Sequence, residues 1–362
     1  MGLVRFLLAA AVVFHHSNVP WNLPIVDGHQ AVRLFYIISG FYMALILEKK
    51  YPATREGLWL FYTNRAARIF PTYWMVLLGA VLFYGLGWLW LGRTPERLGW
   101  YAPLHENGHG TFLAGLGFSQ LTLFGLDWFS LFDYQGSQLG WAGTVSGGRT
   151  AGFLCLVPQA WTLAVELCFY LCAPWLARRR TGALTIVCVV GFAVRIGLII
   201  WKPATTAAWN YYWFPLQLPF FLLGILSYRW GGLTLNFWGK TAVNRIAKGC
   251  GLALILGYQL MPAGLDQVIS CIGLALVLPG LLHGESSWLR SVGELSYPIY
   301  LVHILMKWIL LSLNGVERTG QQEVQGWLLL TVSLVVAFAM EKLVEGRIEK
   351  WRQSRIYREQ TA

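Results

Sequence analysis

The first apolar segment of the chain carries two side chains that could do chemistry together. Arg5 lies near its start and His16 near its end, eleven positions later. Eleven residues make about three helical turns, so a helix places both side chains on nearly one face, roughly 16 Å apart. Because ionisable groups inside a membrane are costly, this aligned guanidinium and imidazole predict a functional site.

His16 is the candidate for proton transfer. An imidazole titrates near neutral pH, so it can act as a general base that removes a proton from an acceptor hydroxyl. The alternative is a hydrated histidine at the interfacial end of a helix. His15 points about 100° away and is the weaker candidate. A metal site would need more ligands than this segment offers, so we predict no metal.

Arg65 and Arg68 are the candidates for anion binding. They are three positions apart, and therefore neighbours on one helix face, shortly before Pro71 and an apolar run. Two adjacent guanidiniums suit a phosphate or pyrophosphate. The alternative is a pair of flanking charges that contact lipid headgroups.

Glu166 is a carboxylate well inside an apolar segment. Such a group faces the bundle interior or a wet cavity and needs a partner. It could orient His16 or stabilise its charge, as a carboxylate does for an imidazole in a catalytic triad. The alternative is a structural ion pair with Arg5 or Arg33.

Four further polar residues lie in apolar segments and are predicted to contact substrate. Ser39 precedes a glycine in the second segment, where a small pair also permits close helix approach. Tyr297, Tyr300 and His303 follow one another along a segment near the end of the chain.

Composition defines the class of protein. Of the 362 residues, 56% are hydrophobic and only 12% are charged, whereas soluble domains carry about 25% charged residues. The mean hydropathy is +0.51. The net charge of +11 is spread over short clusters between apolar runs, which favours the positive-inside pattern over nucleic-acid binding. We therefore predict a multi-pass protein of the plasma (inner) membrane, with its six cysteines mostly buried as small hydrophobes.

The expected fold is an all-α polytopic bundle of about ten transmembrane helices. Most Lys and Arg residues fall on one side of this arrangement, which places both termini in the cytoplasm. The N-terminus lacks a small-residue cleavage site and is expected to remain as the first helix. The predicted spans are 3–20, 31–48, 71–92, 152–176, 182–201, 213–230, 246–263, 265–283, 295–313 and 326–345.

Residues 93–151 are predicted to form a long outer loop. Within it, 111–132 is apolar but rich in glycine, and we interpret it as an interfacial or re-entrant piece. If it crossed the membrane, the arginines at 178–180 would lie on the opposite side from Arg65, against the positive-inside rule. We expect one membrane domain, 1–345, and a basic cytoplasmic tail, 346–362.

Together these segments resemble membrane-bound acyltransferase family 3, whose members acylate sugars and other hydroxyl-bearing molecules. The resemblance extends over five elements in order and differs only in detail, at Tyr36 and Thr162. The matching elements are Arg5 with His16, the Phe-Tyr-Ile-Ile-Ser-Gly-Phe run around Ser39, Arg65 and Arg68 with the Ile-Phe-Pro-Thr-Tyr-Trp that follows, Trp161–Tyr170, and Ser296–His303.

The resemblance implies an activity and a site. Family members have about ten membrane helices and are thought to move an acyl group, commonly acetyl, from cytoplasmic acyl-CoA to an acceptor on the outer side. It implies that His16 is catalytic, that Arg5 supports it, and that Arg65 and Arg68 face the CoA phosphates. Glu166 matches an intramembrane glutamate of the family. The expected partners are acyl-CoA, a carbohydrate or other hydroxyl-bearing acceptor, and membrane lipid, without nucleic acid.

Several alternatives stay open at this point. Transfer could be direct or pass through an acyl-histidine, and Tyr297, Tyr300 or a backbone amide near Ser39 could stabilise the oxyanion. A transporter or flippase for a glycan or an acyl-bearing small molecule would also use intramembrane polar groups, and a receptor or scaffold would not need His16.

Aromatic residues of the outer loop could stack on sugar rings or anchor the interface. These aromatic residues are Trp100, Tyr101, Trp128, Tyr134 and Trp141.

Overall fold

A computed structural model describes residues 1–18, 25–91, 99–145, 147–201, 203–238, 240–261, 265–282, 286–313 and 324–361. Helices dominate these residues, in agreement with the predicted all-α class. Numbered along the chain, they are α1 Gly2–His15, α2 Gly28–Lys49, α3 Arg55–Leu91, α4 Tyr101–Glu106, α5 Gly110–Thr122, α6 Leu126–Phe129, α7 Trp161–Leu176, α8 Thr181–Trp201, α9 Pro203–Tyr212, α10 Phe214–Trp238, α11 Lys240–Leu256, α12 Asp266–Leu281, α13 Ser287–Glu294, α14 Ser296–Leu313, α15 Gly326–Met340 and α16 Gly346–Thr361.

Apolar helices suit a multi-pass membrane protein. Within the described part of the chain, five helical stretches are long and apolar enough to cross a bilayer, and two further apolar helices are shorter. The ten predicted spans and the cytoplasmic termini remain predictions. The five stretches are Gly28–Lys49, Arg55–Leu89, Thr181–Trp201, Ser287–Leu313 and Gly326–Glu359, and the shorter helices are Gly2–His15 and Asp266–Leu281.

The chain divides into two compact units. The first contains Met1–Arg68, Ala173–Ile186 and Phe220–Ala362, and the second contains Ile69–Cys172 and Val187–Pro219. All the predicted site residues except Glu166 belong to the first unit.

Helix α1 is central to the first unit. It packs against α2, α13, α14 and α15, and its apolar residues from Leu8 to Val13 are buried. A Cβ on Gly293 would clash with Gly2, so the end of α13 lies directly against the start of α1. The buried core around α1 consists of Ala9, Val13, Ile299, Val324, Leu329 and Ala337.

The crossing of α2 and α10 depends on two glycines. A Cβ on Gly40 would clash with the carbonyl group of Phe221, and a Cβ on Gly224 would clash with the carbonyl group of Ile37. Only residues without side chains permit this separation of the two backbones. The close helix approach predicted from the serine–glycine pair is therefore confirmed.

The residues predicted as a basic tail form a packed helix. After α15, Glu341–Glu345 make a π-helical turn that leads into α16. Arg355 Nη1 of α16 donates to Asn64 Oδ1 of α3 at 3.2 Å, and Ile356 is buried. Helix α16 thus docks against the first half of α3.

The predicted outer loop is largely folded within the second unit. Helix α5 has 13 residues, a rise of about 20 Å that is shorter than a bilayer core. Three strands follow, β1 Phe132–Gln135, β2 Gln138–Trp141 and β3 Arg149–Thr150, paired antiparallel in the order β2–β1–β3. We did not predict this sheet, because its strands have two to four residues and no clear alternation.

Several predicted spans are shorter in the structure, including 3–20, because α1 already ends at His15, and 152–176. Residues 152–176 were expected to cross the membrane as one segment, but α7 begins only at Trp161. Residues Ala151–Leu154 and Pro158–Ala160 form 3₁₀ turns instead. Pro158 favours this break, since its ring removes a backbone donor and restricts the preceding residue.

Candidate active site

His16 follows the last residue of α1. As the C-cap of the helix it has φ −96° and ψ 13°, and its side chain is half-buried. The next residue ends the helix locally, because Ser17 Oγ donates to Val13 O at 2.9 Å. His16 therefore lies at the terminus of a buried helix and not along its length.

Backbone hydrogen bonds tie this terminus to α15. The Asn18 amide donates to Val324 O at 2.9 Å, and the Gly326 amide donates to Asn18 O at 2.7 Å. These two bonds fix the chain two residues after His16, so the position of the imidazole is set by two helices that are distant in sequence.

His303 lies on α14 and is fully buried. Its Nδ1 is 2.6 Å from Tyr300 O. Because a carbonyl oxygen only accepts, Nδ1 carries the proton and Nε2 is the acceptor of the neutral ring. Among the described residues Nε2 finds no hydrogen-bond partner, so His303 presents an unused acceptor inside the protein.

Four imidazoles form what we call the histidine cluster: His15, His16, His29 and His303. The rings of His16 and His303 are stacked, with centroids 5.3 Å apart and planes 28° apart. His15 contacts His16 edge-on at 5.1 Å and His29 at 4.7 Å. Asp27 is the N-cap of α2 and accepts from the His29 amide at 2.8 Å, which fixes His29 in the first turn of the helix.

Lys307 adds a cation beside this cluster. Its Nζ donates to His16 O at 2.7 Å, and it lies one helical turn after His303 on α14. The lysine thus holds the His16 backbone against the helix that carries His303. In the described part of the chain, no group of three or more His, Cys, Asp or Glu side chains could hold a metal ion.

Arg68 lies in a charged contact with the C-terminal segment. Its Nη1 is 2.9 Å from Glu345 Oε2, with side chains that are 21% and 4% exposed. The guanidinium also lies over the ring of Tyr297, 5.4 Å from its centroid. Arg68 therefore has a buried carboxylate and an aromatic face as neighbours.

Arg352 of α16 lies beside the predicted arginine pair. It is 5% exposed, and its Nη1 contacts Glu349 Oε2 at 2.6 Å. Arg65 and Arg68 are both close enough to repel its charge. We call Arg65, Arg68 and Arg352 the arginine cluster.

Arg5 connects this cluster to α1. Glu294, at the end of α13, interacts electrostatically with both Arg68 and Arg5. Helix α1 therefore begins near the arginine cluster and ends at the histidine cluster. Arg5 lies on α1 and His16 directly follows its last residue, whereas the alignment of both side chains on one helix face remains a prediction.

The remaining predicted substrate residues fall in different places. Tyr297 lies under Arg68 and so belongs beside the arginine cluster. Tyr300 is buried, with its ring centroid 5.8 Å from that of His303. Ser39 is half-buried on α2, next to the glycine at the crossing with α10.

Glu166 lies on α7 in the second unit. Tyr170, one turn later, donates its hydroxyl to Glu166 Oε1 at 2.6 Å. Its predicted pairing with His16, and the alternative pairing with Arg5 or Arg33, remain predictions.

Aromatic rings of the second unit form a continuous group. Trp141 of β2 lies 5.4 Å from Trp209, which lies 5.3 Å from Trp213. Trp128 joins at 6.4 Å from Trp213, and Trp128 and Trp141 are about half exposed. The neighbouring Asp127 is fully buried, which raises the pKa of its carboxyl to about 6.

Sequence reasoning missed several contributors to these clusters, among them His29, Lys307, Glu345 and Arg352. Lys307 carried a usable signal, because it follows His303 at four-residue spacing on one helix. Glu345, Arg352 and Ile356 are separated by seven and four residues, the spacing of one buried helix face. That pattern predicts a packed helix, whereas the basic composition alone suggested a solvated tail.

Comparison with known proteins gives one match. Residues 1–340 match the family model of the acyltransferase domain of acyltransferase family 3. No curated protein and no solved structure matches the chain. The matched residues include all nine site residues predicted from the sequence and end just before the π-helical turn.

Proposed function

The chain belongs to acyltransferase family 3, and from this premise we propose that it transfers an acyl group, in the simplest case acetyl, from cytoplasmic acyl-CoA to a hydroxyl of an extracytoplasmic or lipid-linked glycan. Membership of the family makes it a membrane acyltransferase. The donor, the acyl length, the acceptor and the inner membrane location are the parts that we propose.

The stacked pair of His16 and His303 is the observation that carries this proposal. An imidazole at a helix terminus, beside a second imidazole with an unused acceptor nitrogen, is suited to receive and orient hydroxyl groups. A transporter would need no such stacked pair of imidazoles. The pair is therefore assigned to chemistry on a hydroxyl-bearing substrate.

The donor binds at the other end of α1. Its phosphate groups contact Arg65 and Arg68, because forked guanidiniums match the geometry of phosphate oxygens. Arg5 stands between this anion site and His16, roughly 16 Å along the helix. The extended pantetheine arm covers this distance and brings the thioester to the histidine cluster.

His16 acts as the general base for the transfer. The acceptor hydroxyl gives its proton to a ring nitrogen of His16 while its oxygen bonds to the thioester carbonyl carbon. The tetrahedral oxyanion then collapses, the carbon–sulfur bond breaks, and the CoA thiolate takes the proton back from His16. The products are the ester and free CoA, so neither an oxidant nor a metal is required.

His303 positions the acceptor. Its Nε2 receives a hydrogen bond from a second hydroxyl of the same molecule, while the reacting hydroxyl faces His16. Sugars carry neighbouring hydroxyl groups, so two adjacent acceptor nitrogens suit a carbohydrate. The stacking of sugar rings on Trp128 and Trp141, half-exposed residues of the second unit, remains a separate prediction.

The proposal is tested with purified protein in lipid nanodiscs, without any ion gradient. Acetyl-CoA is added with and without a mixture of oligosaccharides, and free CoA thiol and acetylated sugar are measured. We expect thiol release that depends on the oligosaccharide and disappears in His16→Ala. The control is Cys250→Ala, at an exposed thiol outside both clusters.

Two results would contradict the proposal. One is acceptor-dependent thiol release at the wild-type rate in a folded His16→Ala protein. The other is movement of a glycan across a proteoliposome membrane without consumption of acyl-CoA, which would identify a transporter or flippase.

A further inference from the structure

The C-terminal helix α16 lies beyond residues 1–340, which match the family model, yet it lies beside the arginine pair predicted to bind the donor. Glu345 of the preceding turn pairs with Arg68, and Arg355 reaches Asn64 on the same helix as Arg65. The buried face of α16 presents Arg352 and Ile356. Any anion that binds Arg65 and Arg68 therefore meets side chains of this segment.

Arg352 has an unused donor in this location. The residue is 5% exposed, and its Nε has no hydrogen-bond acceptor among the described residues. A buried guanidinium N–H without an acceptor is unfavourable, and the nearby Arg65 and Arg68 make this location more positive still. A bound anion would satisfy the donor and relieve the repulsion among the three guanidiniums.

The arginine cluster is already paired with protein carboxylates, which a bound anion can replace. Glu345 contacts Arg68 at 2.9 Å and Glu349 contacts Arg352 at 2.6 Å. Glu349 also interacts with Arg65 and Arg68. A phosphate has more acceptor oxygens than a carboxylate and can bridge two guanidiniums at once.

We propose that Arg352 is a third phosphate-binding residue of the donor site, supplied by α16, and that Glu345 and Glu349 occupy the guanidiniums when no donor is bound. The proposal rests on the proposed function, because the phosphate is assigned to acyl-CoA. It makes α16 part of the donor site instead of a separate tail. It also accounts for the near burial of an arginine in a strongly charged helix.

The test is equilibrium binding of acetyl-CoA to the full-length protein in zwitterionic nanodiscs. Arg352→Gln keeps part of the aliphatic stem and removes the charge, and we expect the affinity to fall about tenfold or more, as for loss of a charge-assisted hydrogen bond. Pantetheine, which has no phosphate, should bind both proteins equally. Arg355→Gln is the matched control, because it weakens the docking of α16 and leaves Arg352 in place.

A second variant distinguishes ligand binding from helix packing. Glu349→Gln removes the carboxylate that competes for Arg352, so we expect acetyl-CoA to bind about threefold more tightly. If Arg352 only held α16 in position, Glu349→Gln would weaken binding as Arg352→Gln does. Arg352→Lys keeps the charge and should retain an intermediate affinity even if Arg352→Gln does not fold.

The outcomes separate this inference from the proposed function. It is overturned if Arg352→Gln binds acetyl-CoA within twofold of wild type while Arg65→Ala and Arg68→Ala weaken it, or if Arg355→Gln has the same effect as Arg352→Gln. It is also overturned if Arg352→Gln lowers only the affinity for phosphatidylglycerol, which would assign the phosphate to a lipid headgroup. A wild-type protein that binds no acyl-CoA overturns both.

Discussion

The histidine cluster and the arginine cluster lie at opposite ends of α1, and they are held in different ways. The described partners of His16 and His303 are backbone carbonyls, a lysine and other imidazoles. The guanidiniums of Arg68 and Arg352 instead face carboxylates. The histidine cluster thus has little negative charge in direct contact with its rings. In the arginine cluster, the glutamates nearly balance the positive charge of the guanidiniums.

This difference matches two kinds of task. A general base must keep a lone pair free to accept the proton of the substrate hydroxyl. A phosphate site can be occupied by carboxylates in the absence of ligand, since one anion replaces another. Substitutions in the two clusters should therefore affect different kinetic constants.

The largest effect is expected at His16. His16→Ala should lower kcat by about 10²- to 10⁴-fold, the usual contribution of a general base, while acetyl-CoA binding stays within twofold. Single-turnover assays with labelled acetyl-CoA, together with equilibrium binding, measure both quantities. Equal losses of kcat and of donor affinity would show that the two ends of α1 are not separate sites.

The arginine pair should give the opposite pattern. Arg65→Ala combined with Arg68→Ala should raise the KM for acetyl-CoA about a hundredfold, because two charge-assisted contacts are lost, and leave the KM for the acceptor unchanged. Steady-state kinetics at several salt concentrations would also show a weaker salt dependence than wild type. Lys49→Ala with Lys50→Ala is the control. An unchanged donor KM refutes the phosphate assignment.

His303 should affect the acceptor alone. His303→Ala should raise the acceptor KM about three- to tenfold, the value of one neutral hydrogen bond, with the donor KM unchanged. His303→Gln keeps an acceptor atom and should restore part of the loss. If the alanine variant changes the donor KM instead, His303 belongs with donor binding and the separation of the two clusters fails.

The smallest effect is expected at Lys307. Lys307→Met keeps the length of the stem but loses the contact with His16 O, so kcat should fall about threefold through a less fixed imidazole. Lys307→Arg should recover most of the rate. A loss as large as that of His16→Ala would mean that the ammonium itself takes part in the reaction.

Parts of both clusters could be predicted from the sequence, because the spacing of residues along a helix determines the directions of their side chains. The separation of eleven positions from Arg5 to His16, and of three from Arg65 to Arg68, defines a shared face wherever a helix forms. The serine–glycine pair predicted a close crossing for the same local reason. Composition likewise indicated a helical membrane protein. Long apolar segments in a bilayer must form their backbone hydrogen bonds internally, and a helix does this within one segment.

Tertiary structure alone brought the partners together. His303 stacks on His16 and Lys307 reaches the His16 backbone across 291 positions, while Glu345 pairs with Arg68 across 277. Neither the small sheet of 132–150 nor the docking of α16 follows from local periodicity. The sequence determined which side chains share a helix face, because that depends on one helix. Which faces meet depends on packing among helices far apart in the chain, and only the folded protein decides it.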